Sequence, residues 1–490
     1  MCHMASKCLI RKLSPIRPAL ADEVVWRRAC VSVTQSRVML TRRALVTAAI
    51  ASAFPQTSTN KAHSSEFRTE LPHPRLLLPA RRARLLQRES ERNSLRWTQF
   101  HTLVSGKTQF PEPGFAYSVY FAATKSEPHA RLAIEWALSS SATDLRQLAI
   151  VFDWCGPVFK ESESKRLVAK MQALIEKPDA SIPGVRDQVF AAIALTEHVE
   201  GIGPRVIMPI VESWWKGRIL SAVQRGEVPI DVKDHMALFE LFHALRDNYD
   251  IDLRDTAAKF FTTLPIYHIL AHYPAPFPAP ENEYRIPLMK EHAEPDLRAA
   301  ARTRAAALSM VAYDTNSQEM QFLQGWLIQD RFLMRGPYGI PYEFLWANPY
   351  QPGLSFHYLP NVFHDPVTGR LLIRSTWEED AVWFYQSAGV LQLFEGGQIR
   401  NLTQEALTKE IVMGNTILLP AQISERFKVD TGETPNRYYI FGLQPKTRYD
   451  LEVDDEEIRN ADTDKGGVLE LNFPRKRTAA AILRPSPKIP

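Results

Sequence analysis

The chain contains little cysteine: 4 residues in 490, of which Cys2, Cys8 and Cys30 lie before residue 38. Only Cys155 lies in the body of the chain, and a single cysteine forms no internal disulfide, so the fold must be held by its hydrophobic core. Long apolar runs are also missing. No stretch approaches the ~18 residues that a membrane span requires, so we expect no transmembrane segment.

A strong surplus of one charge is absent as well, although the net charge is +4. Residues 1–38 hold seven basic and two acidic side chains, which is +5, so the remainder carries 4 − 5 = −1. The basic balance is therefore local to the N-terminus, and it gives no reason to expect a nucleic-acid partner. With 45% hydrophobic and 23% charged residues, the chain has a globular composition and length enough for two domains.

Residues 39–53 have the three parts of an export signal. Arg42 and Arg43 form a charged head, a short apolar stretch follows, and Ala51-Ser52-Ala53 offers a small-residue cleavage site. The arginine pair is typical of a twin-arginine leader, which predicts a periplasmic or secreted protein. Because a leader begins its chain, we interpret residues 1–38 as an upstream mis-start and Met39 as the native start. Residues 54–72 are predicted to be a linker, since they are rich in Ser, Thr, Pro and Asn.

Residues 73–335 show helical periodicity interrupted by short connectors rich in Pro, Gly, Asp and Ser. About ten helices with short connectors predict stacked antiparallel hairpins, which close as a bundle, a solenoid or a toroid. The Pro-rich segment 273–287 interrupts the pattern, because proline fixes φ and stops helices. It is predicted to be an extended excursion, either a structural strap or a lid.

Residues 363–486 are rich in short strand patterns and follow an aromatic connector, residues 336–362. The clearest pattern is a hairpin, in which residues 371–375 and 381–385 flank the acidic turn Glu378-Glu379-Asp380. Gly-containing connectors separate the later strand candidates. This part of the chain is predicted to be a small antiparallel sheet or sandwich.

A helical body followed by Arg374-Ser375-Thr376-Trp377 and an acidic turn resembles the heparinase II/III-like family. The opening His73-Pro74-Arg75-Leu76-Leu77-Leu78 is also similar to the start of the family's first helix. The resemblance implies an α+β multidomain fold. An α/α toroid, an incomplete barrel of helical hairpins, would occupy residues 73–335, and a reduced antiparallel β-sheet or sandwich domain would occupy residues 363–486.

The resemblance also implies polysaccharide lyase chemistry on an acidic polysaccharide or other glycan. Such enzymes cleave uronate-containing chains by β-elimination, with a Tyr or His base for the C5 proton and a donor that neutralises the uronate carboxylate. An acid, often Tyr, protonates the leaving oxygen. We expect no cofactor and no metal, since the histidine and carboxylate spacings match no zinc site.

One segment departs from the family pattern. Active relatives have a His-x-His-x-Asp segment after the second strand, whereas residues 391–397 here read LQLFEGG, and no histidine follows His364. Two alternatives therefore stay open. One is a non-catalytic glycan-binding or scaffold protein that kept the fold. The other is a glycoside hydrolase, which needs paired carboxylates.

The candidate site residues come from the helix start after Asp231, the Pro-rich segment and the aromatic connector. An aromatic cleft suits sugars, whose C–H faces are apolar, and Arg is the better fork for a carboxylate. The alternatives are a packed or capping role for His235 and an aromatic interdomain seam for the connector. The predicted catalytic residues are His235, Tyr342, Tyr350 and His357, and the predicted substrate-binding residues are Tyr284, Arg285, Trp346, Asn348 and Tyr358.

Overall fold

A computed structural model describes most of the chain after residue 66. The described residues are 67, 69, 71–177, 179–278, 283–290, 294–329, 334–403, 407–430, 437–454, 457–473 and 478–486. The chain divides into two compact units, Met1–Ser58 and Thr59–Pro490, and every described residue lies in the second. The predicted upstream segment and export signal, residues 1–53, and most of the linker lie outside the described residues.

The helices of the second unit lie between residues 80 and 346. They are α1 (Ala80–Glu91), α2 (Leu95–Ser105), α3 (Pro113–Thr124), α4 (Glu127–Leu138), α5 (Leu145–Trp154), α6 (Glu161–Ile175), α7 (Ile182–Ala194), α8 (Ile202–Pro209), α9 (Ser221–Gln224), α10 (His235–Tyr249), α11 (Ala258–Leu270), α12 (Leu297–Tyr313), α13 (Gln318–Gln329) and α14 (Ile340–Trp346). A π-helix, Ile210–Leu220, joins α8 to α9. Within the described ranges, no helix is both long and apolar enough to cross a membrane.

The helices separate into a central set and an outer set. Helices α3, α5, α7, α10, α12 and α14 each contact the next, and α14 contacts α3. Helix α5 is buried along its whole length, and α3 and α10 over most of theirs, as expected for helices that are apolar on most sides. Helices α4, α6 and α8 lie against α3, α5 and α7 and keep one exposed face.

A polar network joins the beginnings of the central helices, and we call it the helix-start network. Its members are Glu112, Arg146, Arg186, Glu240, Arg302 and Tyr342. Glu240 is fully buried and accepts from Arg146 at 2.6 Å and from Arg186 at 2.5 Å. Tyr342 donates to Glu112, which also lies 3.5 Å from Arg146 and 3.8 Å from Arg302. The network fixes α5, α7 and α10 to one another at the same end.

The first two strands, β1 (Phe277–Pro278) and β2 (Glu283–Tyr284), form a hairpin in the Pro-rich segment. The remaining strands follow the last helix. The others are β3 (Val362–Asp365), β4 (Arg370–Arg374), β5 (Trp383–Ser387), β6 (Val390–Glu395), β7 (Gln398–Asn401), β8 (Ile411–Met413), β9 (Thr416–Pro420), β10 (Arg426–Asp430), β11 (Arg437–Phe441), β12 (Arg448–Val453), β13 (Glu457–Asp462), β14 (Leu469–Asn472) and β15 (Thr478–Pro485). The overall fold is thus α+β.

These strands form three stacked sheets. The five-stranded sheet has the order β3-β4-β5-β6-β7, and the four-stranded sheets have the orders β14-β11-β9-β8 and β10-β15-β12-β13. All described pairs in them are antiparallel except β9 with β11, which is parallel. The predicted hairpin is present, with Leu372 opposite Tyr385 and Arg374 opposite Trp383.

Side-chain alternation explains the stacking. In β5, Trp383 and Tyr385 pack with the helical core, whereas Phe384 packs with the second sheet. In β11, Tyr439 packs back towards the first sheet, whereas Tyr438 packs towards the third. Because the two inner sheets are covered on both faces, their strands are apolar on both faces as well. The order of layers is therefore helices, the five-stranded sheet, and then the two four-stranded sheets.

Direct contacts join the helices to the five-stranded sheet. The Trp383 indole donates to the Leu270 carbonyl at 2.7 Å, and the Tyr273 hydroxyl donates to the Gln392 side-chain oxygen at 3.0 Å. Gly226 lies close to the turn between β3 and β4, because a Cβ there would lie 2.2 Å from the Val367 carbonyl oxygen. Its φ of +72° also favours glycine.

His364 ties the five-stranded sheet to the next one. Its Nε2 lies 2.9 Å from Asp464 and its Nδ1 lies 3.0 Å from Glu470. Burial lowers the pKa of His364, but the hydrogen bonds and charges of the two carboxylates outweigh it and raise the pKa from 6.5 to about 9. The imidazolium is therefore a charged clamp between β3 and the β14 region.

We expect Gly226→Ala to destabilise the chain by more than Gly396→Ala. Both glycines have positive φ, at +72° and +58°, but nothing lies within 4 Å of the Cβ position at Gly396. The control should cost about 1 kcal/mol for the backbone conformation alone. Urea unfolding of both variants measures the difference, and equal losses would show that the contact with Val367 tolerates a methyl group.

We expect the His364 clamp to make stability depend on pH. A folded pKa above the unfolded value of 6.5 stabilises fully below pH 6.5, and the contribution disappears as the pH rises towards 9. The shift corresponds to on the order of 3 kcal/mol. The difference in unfolding free energy between the parent and His364→Gln should therefore shrink between pH 6.5 and 9. A constant difference over this range would contradict the ionised clamp.

Candidate functional site

A cavity of about 820 Å³ lies where the helical part meets the five-stranded sheet. We call it the interface cavity. The polar side chains that matter for its chemistry are Asp231, Tyr267, Lys290, Arg370, Tyr385 and Gln386. They come from the turn before α10, from α11, from the chain after the Pro-rich segment, and from β4 and β5. The cavity is therefore assembled from segments far apart in sequence.

Arg370 places a cation in this wall. Its side chain faces the helices because Arg370 alternates with Leu371, which packs against the second sheet. The guanidinium donates from Nε to Thr368 at 3.1 Å and from Nη2 to Asp365 at 3.4 Å. Its buried Nη1 has no hydrogen-bond partner among the described residues. Buried polar atoms are normally satisfied, so this nitrogen is available to a ligand.

Gln386 adds a second unsatisfied atom. Its amide nitrogen donates to the Gly466 carbonyl at 2.8 Å, but its buried Oε1 finds no partner in the described part of the chain. Gly466 approaches Gly369, the residue before Arg370, so closely that a Cβ at Gly369 would lie 2.3 Å from the Gly466 nitrogen. Gln386 lies opposite Leu371 and faces the second sheet, whereas Arg370 faces the helices, so the two side chains are held by adjoining backbone but lie on opposite faces of the sheet.

Two tyrosines line the same cavity. The Arg370 guanidinium lies 4.4 Å from the centroid of the Tyr267 ring, as a cation–π contact. Burial raises the pKa of Tyr267 to about 12, although Arg370 opposes the shift. Burial also raises the pKa of Tyr385. Both hydroxyls are therefore protonated at neutral pH and can donate a proton or a hydrogen bond to a ligand.

Asp231 and Lys290 form an ion pair in the cavity, with 2.8 Å between the carboxylate and the ammonium. Asp231 also accepts from the Val232 N–H at 2.8 Å, so it begins the turn before α10. Burial would raise the pKa of Asp231, but the Lys290 hydrogen bond and charge outweigh it and lower the pKa. Asp231 is therefore ionised.

His235 lies next to the cavity but does not line it. It is fully buried, with Nδ1 2.9 Å from Nδ1 of His268 and its ring 6.2 Å from that of Tyr267. Burial lowers the pKa of His235 to about 3, and that of His272, beside His268, to about 4. These imidazoles are neutral under physiological conditions.

Tyr342 and Trp346 lie on α14, away from the interface cavity. Tyr342 is buried in the helix-start network, where burial raises its pKa well above 10. Trp346 is buried between a stacked His243, at 4.7 Å between ring centroids, and the guanidinium of Arg82, at 4.2 Å. Both predicted site residues therefore occupy packed positions inside the helical part.

The next four predicted residues lie on the turns after α14. The Tyr350 hydroxyl donates to Glu89 at 2.9 Å, and the Asn348 side chain accepts from the Tyr350 N–H at 3.1 Å. His357 is exposed and lies 3.3 Å from the Ser355 hydroxyl. Tyr358 is 85% exposed. None of these four residues lines the interface cavity.

Tyr284 and Arg285 lie in and after β2. Tyr284 is buried, and Arg285 donates to the Pro274 carbonyl at 2.7 Å and lies 4.0 Å from Glu379 of the acidic turn. The Pro-rich segment is thus held against the hairpin of β4 and β5. None of the nine predicted site residues lines the interface cavity.

The cavity residues escaped prediction for identifiable reasons. Tyr267 lies in an apolar helix and carries no local signal. Arg370 and Tyr385 lie in the predicted hairpin of β4 and β5. Because side chains alternate along a strand, the sequence could have indicated which residues of this hairpin face the helices. Asp231 was visible as a helix cap. Over the described ranges, no set of three or more His, Cys, Asp or Glu side chains is arranged to hold a metal ion.

Comparison with known proteins identifies no family for this chain. No family model matches the chain, and no curated protein matches it. Solved structures do match, among them a glycoside hydrolase with 8% sequence identity and a TM-score of 0.26, over 86% of this chain and 79% of that chain. A TM-score this low carries no argument about fold or function. The resemblance to heparinase II/III-like proteins stays a prediction.

The buried histidines predict sensitivity to acid. Their folded pKa values lie below the unfolded value of 6.5, so their stabilisation is present above pH 6.5 and is lost as the pH falls towards 3 or 4. Relative to His235→Gln, the parent should lose up to about 1.4 kcal/mol more per pH unit between pH 6 and 4. Unfolding at several pH values measures this, and His357→Gln, at an exposed site, is the control. If the unfolding free energies of the parent and of His235→Gln changed equally with pH, this would contradict a neutral, buried His235.

Proposed function

We propose that the protein binds an acidic, uronate-containing glycan in the interface cavity and cleaves it by β-elimination. The closed series of contacts from α3 to α14 supports an α/α toroid as the frame of the site. The leader pattern of residues 39–53 separately predicts export through a twin-arginine leader and a periplasmic or secreted location, and we include both in the proposal.

The observation that carries the proposal is the unsatisfied Nη1 of Arg370. A buried guanidinium nitrogen without an acceptor favours a ligand with an acidic group, because charge-assisted hydrogen bonds are strong when water is excluded. An acidic sugar supplies the carboxylate that this nitrogen lacks, and its oxygens suit the hydroxyl groups of Tyr267 and Tyr385.

The same groups suit β-elimination. Neutralisation of the uronate carboxylate by Arg370 makes the C5 proton more acidic, because it stabilises the charge that develops when that proton leaves. The C5–H electron pair then forms the C4=C5 double bond, and the C4–O bond breaks. A protonated tyrosine in the cavity can supply the proton that the leaving oxygen needs.

A non-catalytic glycan-binding function is the second candidate. It is favoured by the raised pKa values of both tyrosines, since neither is ionised near neutral pH to act as a base. The same contact to Arg370 would then serve binding alone.

The test is to incubate the full chain with alginate, heparin, heparan and chondroitin and to follow the absorbance of the unsaturated uronate product. We expect product from at least one polymer. Binding without product would favour the non-catalytic candidate, and new reducing ends without the absorbance would indicate a hydrolase.

Arg370→Lys should weaken binding of the preferred polymer about 10- to 100-fold, because one charge-assisted hydrogen bond is worth about 1.5–3 kcal/mol. Arg374→Lys is the matched control. Arg374 is also buried on β4 and faces the helices, but it donates to the carbonyls of Thr376 and Glu378 and does not line the cavity. Binding affinity is measured by calorimetry on folded protein. Equal losses of affinity in both variants would contradict the assignment of the cavity as the binding site.

A further inference from the structure

Two carboxylates line the interface cavity, and they differ in their surroundings. Glu227 is exposed and lies 2.8 Å from Arg225. The Asp231 side chain is 26% exposed, and its partner Lys290 is 60% exposed. An ionised carboxylate is thus held at the cavity wall by a lysine that a ligand in the cavity can reach.

We propose that Asp231 is the base that removes the C5 proton. We further propose that Lys290 pairs with the Asp231 carboxylate until an acidic ligand binds the lysine instead. The inference rests on the β-elimination function proposed above. It assigns a catalytic role to a residue whose sequence context indicates only a helix cap, and it makes an acidic group on the substrate a condition for activity.

The proton balance closes within the cavity. Asp231 takes the C5 proton, the C5–H electrons form the C4=C5 bond, and the C4–O bond breaks. Tyr267 or Tyr385 gives its hydroxyl proton to the leaving oxygen. The protonated Asp231 then returns its proton to the phenolate, so that the protein ends in its initial state and no oxidant, reductant or added acid is needed.

Other bases fit the cavity less well. The two tyrosines are protonated at neutral pH and suit the role of acid. His235 is neutral, but it is fully buried and does not line the cavity. Asp231 is ionised, lines the cavity and raises the pKa of both tyrosines, which places its charge near each hydroxyl.

The pH behaviour of Asp231 depends on what surrounds it. The titratable and charged groups that face it are Lys290, Asp234, His235, Tyr267, Arg370 and Tyr385. Burial alone would raise its pKa, and Lys290 is the main group that opposes this. When a ligand draws Lys290 away, the carboxylate becomes a stronger base at the moment when a base is required.

The first test is Asp231→Asn, which keeps a side chain able to cap the following turn. We expect kcat to fall about a hundredfold or more, the usual range for a general base, with little change in KM. Asp234→Asn is the matched control, because Asp234 lies in the same turn and accepts from the Asp231 N–H at 3.2 Å but does not line the cavity. It should keep nearly full activity.

The second test is the pH profile, which a merely structural Asp231 would not move. The acid limb of kcat, which reports the complex, should lie at higher pH than that of kcat/KM, which reports the free protein. Lys290→Met should move the acid limb of kcat/KM to higher pH and raise KM. All profiles are recorded where circular dichroism shows folded protein.

The outcomes separate this inference from the proposed function. Product from the parent, together with nearly full kcat in Asp231→Asn or unmoved acid limbs, would overturn the role of Asp231 and leave the lyase function in place. No unsaturated product from the parent with any polymer would overturn both. A large loss in Asp234→Asn equal to that in Asp231→Asn would also contradict the assignment, since the turn itself would then be responsible.

Discussion

The fully buried carboxylate of Glu240 is the constraint on which the helical part depends. A carboxylate without water must be paired, and an unpaired one would cost several kcal/mol. Burial would raise its pKa, but Arg146 and Arg186 outweigh this and lower it. Because these arginines lie near the starts of α5 and α7, the pairing sets the position of α10 relative to both. The start of α10, where Asp231 and His235 lie, follows from that position.

The sheets impose the second constraint. A sheet covered on both faces must bury every side chain of its central strands, and β4 and β5 are buried along their whole length. Arg370 and Arg374 are therefore buried, because both faces of their strand are covered. Arg374 donates to the carbonyls of Thr376 and Glu378, whereas one nitrogen of Arg370 has no partner in the described part of the chain. This difference between two similar arginines on one strand is why the proposed binding role falls on Arg370.

Periodicity predicted much of the fold. Helices α1 to α13 lie within residues 73–335, where the periodicity predicts helices and turn residues separate them. Helix α3 begins with Pro113-Gly114 and is buried on nearly every side, so it has little amphipathic pattern for sequence analysis to detect. Gly414, with φ of +61°, forms the turn of the hairpin of β8 and β9, and the apolar residues on either side of it do not show this turn in the sequence.

The site was harder to predict than the fold because its residues are separated by long stretches of chain. Asp231, Tyr267 and Arg370 meet only after α10, α11 and β4 have packed. The aromatic connector around Tyr342 and Trp346 drew attention because aromatic residues without helical spacing are typical of a cleft. The structure packs both inside the helical part, where large rings contribute most to the core.

The interface cavity holds groups whose environments move their pKa values in opposite directions. Burial keeps Tyr267 protonated, while Lys290 keeps Asp231 ionised, around one cavity. In the proposed mechanism, this separation supplies an acid and a base without any histidine. The absence of a His-rich segment after β5 therefore does not by itself remove the means of proton transfer. The proposed mechanism requires a ligand with a negative charge, because such a ligand competes with Asp231 for Lys290 and pairs with Arg370.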